Sequence, residues 1–133
     1  MTATQPARPA RCRGVRGAIS VEANTAEAIV SAARELLEAI VAANGIDAED
    51  VCSLLLTVTP DLTAEYPAVA ARQIGWDAVA VMCAQEMAVP HGLARCVRAL
   101  VHWNTDRAAE EIRHVYLRDA ELLRPDRVAR PAL

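Results

Sequence analysis

Two ionisable residues flank a polar corner in an otherwise apolar stretch of the sequence. Glu86 precedes a PHG cluster at 90–92 and Arg98 follows it, within VAVMCAQEMAVPHGLARCVR at 79–98. The apolar runs on either side predict strands, and the cluster predicts a turn or loop between them. An arginine inside an apolar run must reach water or bind an anion, and loops at strand ends often carry functional residues. We therefore interpret this corner as a candidate anion-binding site.

The common sequence patterns of catalysis are absent from the chain. It contains no Gly-x-Ser-x-Gly, no phosphate-binding loop, no dinucleotide-binding glycine signature and no His-Glu-x-x-His. All 14 basic residues are arginine, which excludes Schiff-base chemistry on a lysine. Cys83 is a candidate thiolate nucleophile, but no histidine lies beside it in the sequence. The remaining set suits binding of a multiply charged anion without nucleophilic attack: Arg16, Glu86, Arg98 and Tyr116, with Arg72 and Arg124 as further members.

Length and composition indicate one globular domain. The chain has 133 residues, 53% of them hydrophobic, which is enough for a substantial core. We expect a flexible leader at 1–12, a single domain at 13–126 and a flexible tail at 127–133. The net charge of -3 gives no reason to expect nucleic acid or an anionic membrane as partner.

The four cysteines form no CxxC pair and lie at no zinc-like spacing from histidine, so we expect no metal site. Three of them lie in apolar runs, where cysteine usually behaves as a small buried residue with a free thiol. No apolar stretch is long enough to span a bilayer, and the first residues do not resemble a signal peptide. These features predict a cytoplasmic protein.

Hydrophobic periodicity predicts the elements that must position the candidate site. Five stretches have strand character, and the pattern leaves open whether the first two strands are neighbours. One long helix is expected from a capping box at Asn24 and Glu27 to a stop at Gly45, with short helices after Pro67 and after Asp106. The strand candidates lie at 13–21, 51–59, 79–83, 96–105 and 113–117.

Four longer segments resemble the monofunctional chorismate mutases of the small trimeric AroH class. The similarity covers residues 13–126, and the order and separation of the segments also fit that family. The segments are RGVRGAISVE at 13–22, TPDLTAEYPAVAAR at 59–72, GWDAVAVMCAQEM at 75–87 and RHVYLRDAELLRPD at 113–126.

The resemblance implies a fold and an activity. The fold is α+β, with a mixed five-stranded sheet, one long helix and two short helices, and three subunits form a pseudo-α/β barrel. The activity is the conversion of chorismate to prephenate, a one-substrate Claisen rearrangement on the route to phenylalanine and tyrosine. It implies no cofactor and no covalent intermediate, and it places the active sites between subunits of a homotrimer.

The resemblance also implies a role for each candidate residue. Arg98 would be the main electrostatic catalyst, beside the ether oxygen of the substrate, and Glu86 would accept a hydrogen bond from the substrate hydroxyl. Arg16 and Tyr116 would bind carboxylate or orient the substrate. Cys83 would contact the hydroxyl region without acting as a nucleophile. A neighbouring subunit would contribute Tyr66, Ala68 and Arg72, with Val81, Met82, Leu123 and Arg124 nearby.

Two departures from the family pattern affect the edge of this site. Val69 stands where relatives can carry a lysine, so binding of the remote carboxylate would be weaker or shared with Arg72. Met82 replaces a small polar residue of some relatives, which removes a side-chain hydrogen bond. Two other functions remain open at the sequence level. One is a non-catalytic binding trimer of similar architecture, and the other is a structural protein whose arginines form surface ion pairs worth about 1 kcal/mol or less each.

Overall fold

Five strands form a single mixed sheet in the computed structural model, which describes residues 10–123. The sheet order is β3-β2-β4-β1-β5. The prediction of five strands in an α+β fold is confirmed. Most of the predicted leader and all of the predicted tail, together with Arg124, lie outside the described residues. The strands are β1 (Arg11–Ser20), β2 (Val51–Val58), β3 (Ala80–Gln85), β4 (Cys96–Thr105) and β5 (Val115–Leu117).

The central strand β4 determines the topology of the sheet. It pairs antiparallel with β1 on one side and with β2 on the other, while β3 runs parallel to β2 and β5 runs parallel to β1. The first two strands are therefore parallel to each other but separated by β4, which settles the question left open by the sequence. β1 begins two residues earlier than predicted because Arg11 and Cys12 pair with Thr105 and Asn104.

The long helix α1 (Ala26–Asn44) covers one face of the sheet. Its periodic apolar residues are fully buried, as are the residues of β1 and β4 on that face. These residues, which include Ile29, Leu36, Leu37, Ile40, Val15, Ile19, Val97 and Val101, form most of the core. The core therefore lies between α1 and one side of the sheet, as the helical spacing predicted.

The predicted start of α1 was wrong by one residue. Thr25 is the N-cap, with an extended φ of -132°, and its hydroxyl accepts a hydrogen bond from the amide of Ala28. Asn24 instead binds the 63–64 segment, because its side-chain oxygen accepts from the amides of Thr63 and Ala64. The predicted stop is confirmed, since Gly45 takes a left-handed φ of 67° that glycine adopts without a steric cost.

The shorter helices partly match the prediction. The α2 helix (Ala68–Gln73) follows Pro67 as expected. The helix predicted from Asp106 is a 3-10 turn at Ala109–Glu111, and Ala108 is its N-cap because the Glu111 carboxylate accepts from the Ala108 amide. Two further 3-10 segments, Ala48–Asp50 and Arg118–Leu123, were not predicted. Within residues 10–123, no helix combines the length and the apolar character that crossing a membrane requires.

Within residues 10–123, no α-helix covers the opposite face of the sheet, and the 3-10 segment Arg118–Leu123 packs at its β1–β5 side. Alternate residues of β4 show this division, because Val97, Ala99 and Val101 are buried while Arg98 and Leu100 are only half-buried. Successive side chains of a strand point to opposite faces. The uncovered face, called the open face below, therefore carries Arg98.

Gly17 of β1 lies where α1 packs tightly against the sheet. A Cβ at this position would lie 2.8 Å from Cδ1 of Ile40, 2.9 Å from Cδ1 of Leu36 and 3.0 Å from the Val115 carbonyl oxygen. We predict that Gly17→Ala lowers the free energy of unfolding by about 1–3 kcal/mol through overpacking. Urea unfolding of wild type and variant measures the change.

Gly14→Ala is the matched control on the same strand. Its Cβ would meet only Cδ1 of Leu100, at 3.4 Å, which is an ordinary contact. We expect little or no loss of stability for this variant. Equal destabilisation by the two substitutions would contradict the packing argument.

Candidate active site

A single row of paired residues crosses the sheet at Arg98. In this row Arg98 of β4 lies opposite Ala18 of β1 and Thr57 of β2, and the row continues to Tyr116 of β5 and Ala84 of β3. Directly paired residues project to the same face. The open face therefore carries an arginine between two small neighbours, which leave its guanidinium room above the sheet.

Glu86 reaches Arg98 from the end of β3. The amide of Glu86 donates to the Val58 carbonyl over 2.8 Å, which extends the parallel pairing of β2 and β3 by one residue. One Glu86 carboxylate oxygen accepts from the Thr57 hydroxyl at 2.5 Å, and the other lies 3.5 Å from Nη1 of Arg98. Both charged side chains are partly exposed, at 24% for Glu86 and 40% for Arg98. Glu86 and Arg98 therefore form an ion pair, and Thr57 holds the carboxylate in place.

Arg16 adds a second guanidinium to the open face. It lies on β1 opposite Leu100, one row from Arg98, and its amide donates to Nδ1 of His114 over 2.9 Å. Its guanidinium makes no hydrogen bond or ion pair within residues 10–123. A cavity of about 260 Å³ brings the predicted residues together, with this lining: Arg16, Gly17, Leu55, Thr57, Glu86, Arg98, Ala99 and Leu100.

A second cavity adjoins the first across the pair of Glu86 and Arg98. It measures about 270 Å³ and is lined by Leu123, another of the candidate residues, together with the loop that joins β3 to β4. The two cavities share Glu86 and Arg98 as lining residues, so this pair is accessible from both sides. The other residues of this second cavity are Thr59, Met87, Val89, His91, Gly92, Leu93 and Cys96.

Tyr116 lies beside these cavities with an unsatisfied hydroxyl. Its side chain is only 6% exposed and packs with Ala18, Cys96 and Ala120, while Leu93 and Leu123 contact the same cluster. The hydroxyl has no hydrogen-bond partner among the residues that the structure describes. A buried hydroxyl without a partner costs about 1–3 kcal/mol, so this oxygen is a good position for a ligand contact.

The other predicted residues form a separate cluster at the β3 edge. Tyr66, which is 71% exposed, and Cys83 line a third cavity of about 470 Å³. The backbone amide of Ala68 forms a hydrogen bond with the Cys83 thiol, and the Arg72 guanidinium interacts with the thiol electrostatically. Cys83 lines neither of the two cavities that Glu86 lines. The family resemblance implied that Cys83 and Glu86 contact the same region of the substrate, but within one chain they do not share a cavity.

The remaining two predicted residues lie on opposite sides of β3. Val81 and Cys83 alternate along the strand and pack against the core, whereas Met82 points to the open face and is 71% exposed. The third cavity shares no lining residue with the cavities around Arg98. One chain therefore presents two groups of predicted site residues rather than one assembled site.

The thiols of the site are protonated at neutral pH. Burial raises the pKa of the Cys83 thiol, and this outweighs the opposing effects of the Ala68 amide and the Arg72 guanidinium. Burial likewise raises the pKa of Cys96 to about 11. Because a thiolate is the nucleophilic form, neither cysteine is suited to nucleophilic attack.

Sequence reasoning missed Thr57, which contacts Glu86 directly. The signal was present in the polar residues Ser53 and Thr57, which interrupt the apolar run of β2 four residues apart and so lie on the same face of the strand. Leu55 and Leu100 were also missed as lining residues. Over residues 10–123, no group of three or more His, Cys, Asp or Glu side chains is arranged to hold a metal ion.

Comparisons with known proteins agree with this arrangement. The sequence model of the type I chorismate mutases matches residues 12–127. The chain is 52% identical over 115 residues to the chorismate mutase AroH of Thermus thermophilus, covering 86% of this chain and 94% of that protein. It is 47% identical over 115 residues to the chorismate mutase AroH of Bacillus subtilis (strain 168), covering 86% of this chain and 91% of that protein.

A solved structure gives the same result for the fold. The structure of a chorismate mutase from Clostridium thermocellum superimposes with a TM-score of 0.81 at 43% sequence identity. The similarity covers 82% of this chain and 97% of that one. The resemblance inferred from the four sequence segments is confirmed, and the chain belongs to the type I chorismate mutase family.

Proposed function

We propose that this chain converts chorismate to prephenate in the biosynthesis of phenylalanine and tyrosine. Family membership over residues 12–127 supports the activity. The observation that carries the proposal is the position of Arg98, whose guanidinium is oriented by Glu86 at the boundary of two cavities. Nη1 of Arg98 meets Glu86, and the guanidinium has no other partner within residues 10–123, so donors remain for a substrate.

The reaction needs fixed positive donors more than it needs a nucleophile. A Claisen rearrangement breaks one C–O bond as a C–C bond forms, and negative charge develops on the ether oxygen. A donor that is already oriented towards that oxygen stabilises the transition state without reorganising during the reaction. Arg98 can serve both the ether oxygen and a substrate carboxylate, because its planar guanidinium presents several N–H groups in a fixed fork.

The charge balance of the open face suits a substrate with two carboxylates. Arg16 and Arg98 provide two positive charges, and Glu86 provides one negative charge. Arg16 and the unsatisfied hydroxyl of Tyr116 are the proposed carboxylate contacts. Holding both carboxylates restricts the substrate to the compact conformation in which the reacting carbons meet, which is the positioning contribution to the rate.

Glu86 is proposed to bind the substrate hydroxyl. Its carboxylate already accepts from Thr57, yet two carboxylate oxygens offer about four acceptor positions, so one further hydrogen bond is available. This contact would orient the ring and leave Arg98 to interact with the ether oxygen. The proposed chemistry requires neither a cofactor nor a covalent intermediate.

The direct test mixes purified protein with chorismate in buffer without added metal or nucleotide. We expect the ultraviolet absorbance of chorismate to fall much faster than in protein-free buffer, with prephenate confirmed by NMR. A binding protein would instead bind chorismate without consuming it. That outcome, or the absence of both binding and turnover, would reject the proposed activity.

Arg98→Ala tests the proposed electrostatic catalyst. Loss of one preorganised donor usually costs about 2.7–4 kcal/mol of transition-state stabilisation, so we expect kcat to fall by about 100-fold or more. Steady-state kinetics with chorismate measures the change, and circular dichroism checks that the variant is folded.

Arg34→Ala is the control for removal of an arginine from an ion pair. Arg34 pairs with Glu38 at 3.5 Å on the exposed side of α1, with side chains 46% and 56% exposed. We expect its kcat to stay within about twofold of wild type. A folded Arg98→Ala enzyme with wild-type turnover would refute the role of Arg98.

We also propose that the active sites form between the subunits of a homotrimer. The Arg98 group lies on the open face, whereas Tyr66 and Cys83 line a cavity that shares no lining residue with it, and Arg72 interacts electrostatically with Cys83. A neighbouring copy that places its β3 edge against the open face would join the two groups. This contact would also cover Met82, which is 71% exposed, and a head-to-tail contact of this kind can close into a ring. The number of three follows from the family resemblance.

Mixed trimers test the shared site. We expect co-expression of Arg98→Ala with Arg72→Ala chains to restore activity, because one in about four interfaces then combines an intact Arg98 group with an intact Arg72 group. The control mixture, Arg98→Ala with Glu86→Ala, places both changes in the same group and should stay inactive. Equal activity of the two mixtures, measured on purified oligomers, would contradict a site built from two chains.

We further propose a cytoplasmic location for the enzyme. Cys12 and Cys52 are exposed in the chain and all four cysteines are free thiols. Free exposed thiols persist in reducing compartments, which is consistent with this location.

A further inference from the structure

Three strand ends meet directly beside the pair of Glu86 and Arg98. The segment after β1 contributes Val21, the segment after β2 contributes Thr59 and Asp61, and the start of β4 contributes Arg95 and Cys96. Seven hydrogen-bond contacts join these five residues, two of them from the Arg95 amide to the two oxygens of Asp61. The group is called the strand junction below.

Arg95 occupies a backbone conformation that arginine rarely adopts. Its φ is 46°, in the left-handed region, and the residue is exposed. The Arg95 amide donates to both carboxylate oxygens of Asp61, at 2.9 and 3.2 Å. Its carbonyl accepts from the Val21 amide at 2.7 Å, and its Nε donates to the Val21 carbonyl at 3.0 Å. A strained residue persists only where its surroundings hold it, and here Asp61 and Val21 do so.

Thr59 transmits the influence of Asp61 to the next residue of β4. The Thr59 hydroxyl donates to Asp61 over 2.5 Å and accepts from the Cys96 amide over 2.9 Å. An ionised carboxylate can only accept hydrogen bonds. The Thr59 hydroxyl therefore donates to Asp61, and the lone pairs of its oxygen accept from the Cys96 amide. The Thr59 amide also donates to the Cys96 carbonyl over 3.0 Å. One carboxylate therefore holds two successive amides at the start of β4.

The strand junction is close to the reacting groups, although Asp61 itself lies outside the cavities. Cys96 lies two residues before Arg98, and Thr59 lies two residues after Thr57, so both point to the face that carries the site. Thr59 and Cys96 line the 270 Å³ cavity with Glu86 and Arg98. Asp61 lines none of the three cavities described above.

The loop from 87 to 94 depends on the strand junction for one of its two anchors. The loop begins at Glu86, whose amide is held by the Val58 carbonyl, and it ends at Arg95. Its internal hydrogen bonds are local, from the Val89 amide to Met87 and from the Gly92 amide to Val89. The path of its cavity-lining residues is therefore determined largely by where its ends are fixed.

We propose that Asp61 is a positioning residue for the proposed reaction. Its carboxylate fixes Arg95 directly and Cys96 through Thr59, and so sets both the start of the strand that carries Arg98 and the second anchor of the 87–94 loop. Asp61 acts through these residues and does not contact substrate. The proposal rests on the proposed conversion of chorismate to prephenate.

The ionisation of Asp61 is consistent with this role. Burial by itself would raise the pKa of Asp61, but the hydrogen bonds from the Thr59 hydroxyl and the Arg95 amide outweigh it and hold the pKa below the ordinary value of 3.8. The carboxylate is therefore charged at the pH at which the enzyme would be assayed.

Kinetics of Asp61→Ala and Asp61→Asn test the proposal on the full-length chain. We expect kcat/KM to fall by about 10-fold to 100-fold for Asp61→Ala, with a lower kcat as well as a higher KM, because a misplaced guanidinium weakens transition-state contacts. Asparagine keeps one acceptor oxygen but turns an NH2 group towards the Arg95 amide. We therefore expect Asp61→Asn to fall between wild type and Asp61→Ala.

Asp47→Ala is the matched control for a purely structural carboxylate. Asp47 also accepts from a backbone amide, that of Glu49 at 3.0 Å, but it lies before the start of β2 at the other end of the sheet. We expect this variant to lose some thermal stability while its kcat and KM stay within about twofold of wild type. All kinetics are measured at a temperature at which each variant is fully folded by circular dichroism.

Amide hydrogen exchange separates failure of this proposal from failure of the proposed function. We expect exchange at Arg95 and Cys96 to be at least about tenfold faster in Asp61→Ala than in wild type, because local opening becomes easier. Unchanged exchange at these amides, or kcat and KM that match those of Asp47→Ala, would overturn the role of Asp61 in an active enzyme. A wild-type protein that fails to convert chorismate would overturn the proposed function, whatever the exchange rates.

Discussion

The antiparallel pairing of β4 with both β1 and β2 is the constraint on which the site depends. This pairing places Arg98 in a row between Ala18 and Thr57, on the face that no α-helix of residues 10–123 covers. The parallel pairing of β3 with β2 adds the end of β3 beside this row, so that Glu86 can reach both Thr57 and Arg98. The arginine is therefore oriented by the sheet itself rather than by a mobile loop, as a preorganised electrostatic catalyst requires.

The electrostatics of the site follow from this geometry. Glu86 contacts Arg98 at 3.5 Å in a partly exposed setting, a pairing that orients the guanidinium and leaves other donors free. Arg16 adds a second positive charge, so the cavity on this face carries more positive than negative charge, which suits a doubly charged anion. The same open face explains why a single chain does not assemble the whole set of predicted residues. Within residues 10–123 the long helix α1 covers only the other side of the sheet, and the group around Arg72 lies near the edge strand β3, apart from Arg98.

The sequence by itself determined the features that depend on near neighbours along the chain. Hydrophobic periodicity located the five strands and the long helix, and Gly45 marked the helix end because glycine adopts a left-handed conformation at little cost. Four segments together identified the family, and with it the chemistry expected of Arg98 and Glu86. Local signals were less reliable at helix starts. The sequence predicted Asn24 as the cap, whereas in the structure Asn24 binds the distant 63–64 segment and Thr25 caps the helix.

Only the tertiary structure decided the order of the strands and which side chains contact one another. Periodicity reports which face of a strand is buried, but it carries no information about which strand lies alongside. The contacts of Thr57 with Glu86 and of Asp61 with Arg95 each join residues about 30 positions apart, so no local pattern predicted them. The placement of Cys83 beside Arg72 rather than beside Glu86 has the same cause. The sequence was sufficient to identify the candidate site residues, whereas only the folded sheet shows which of them lie close together.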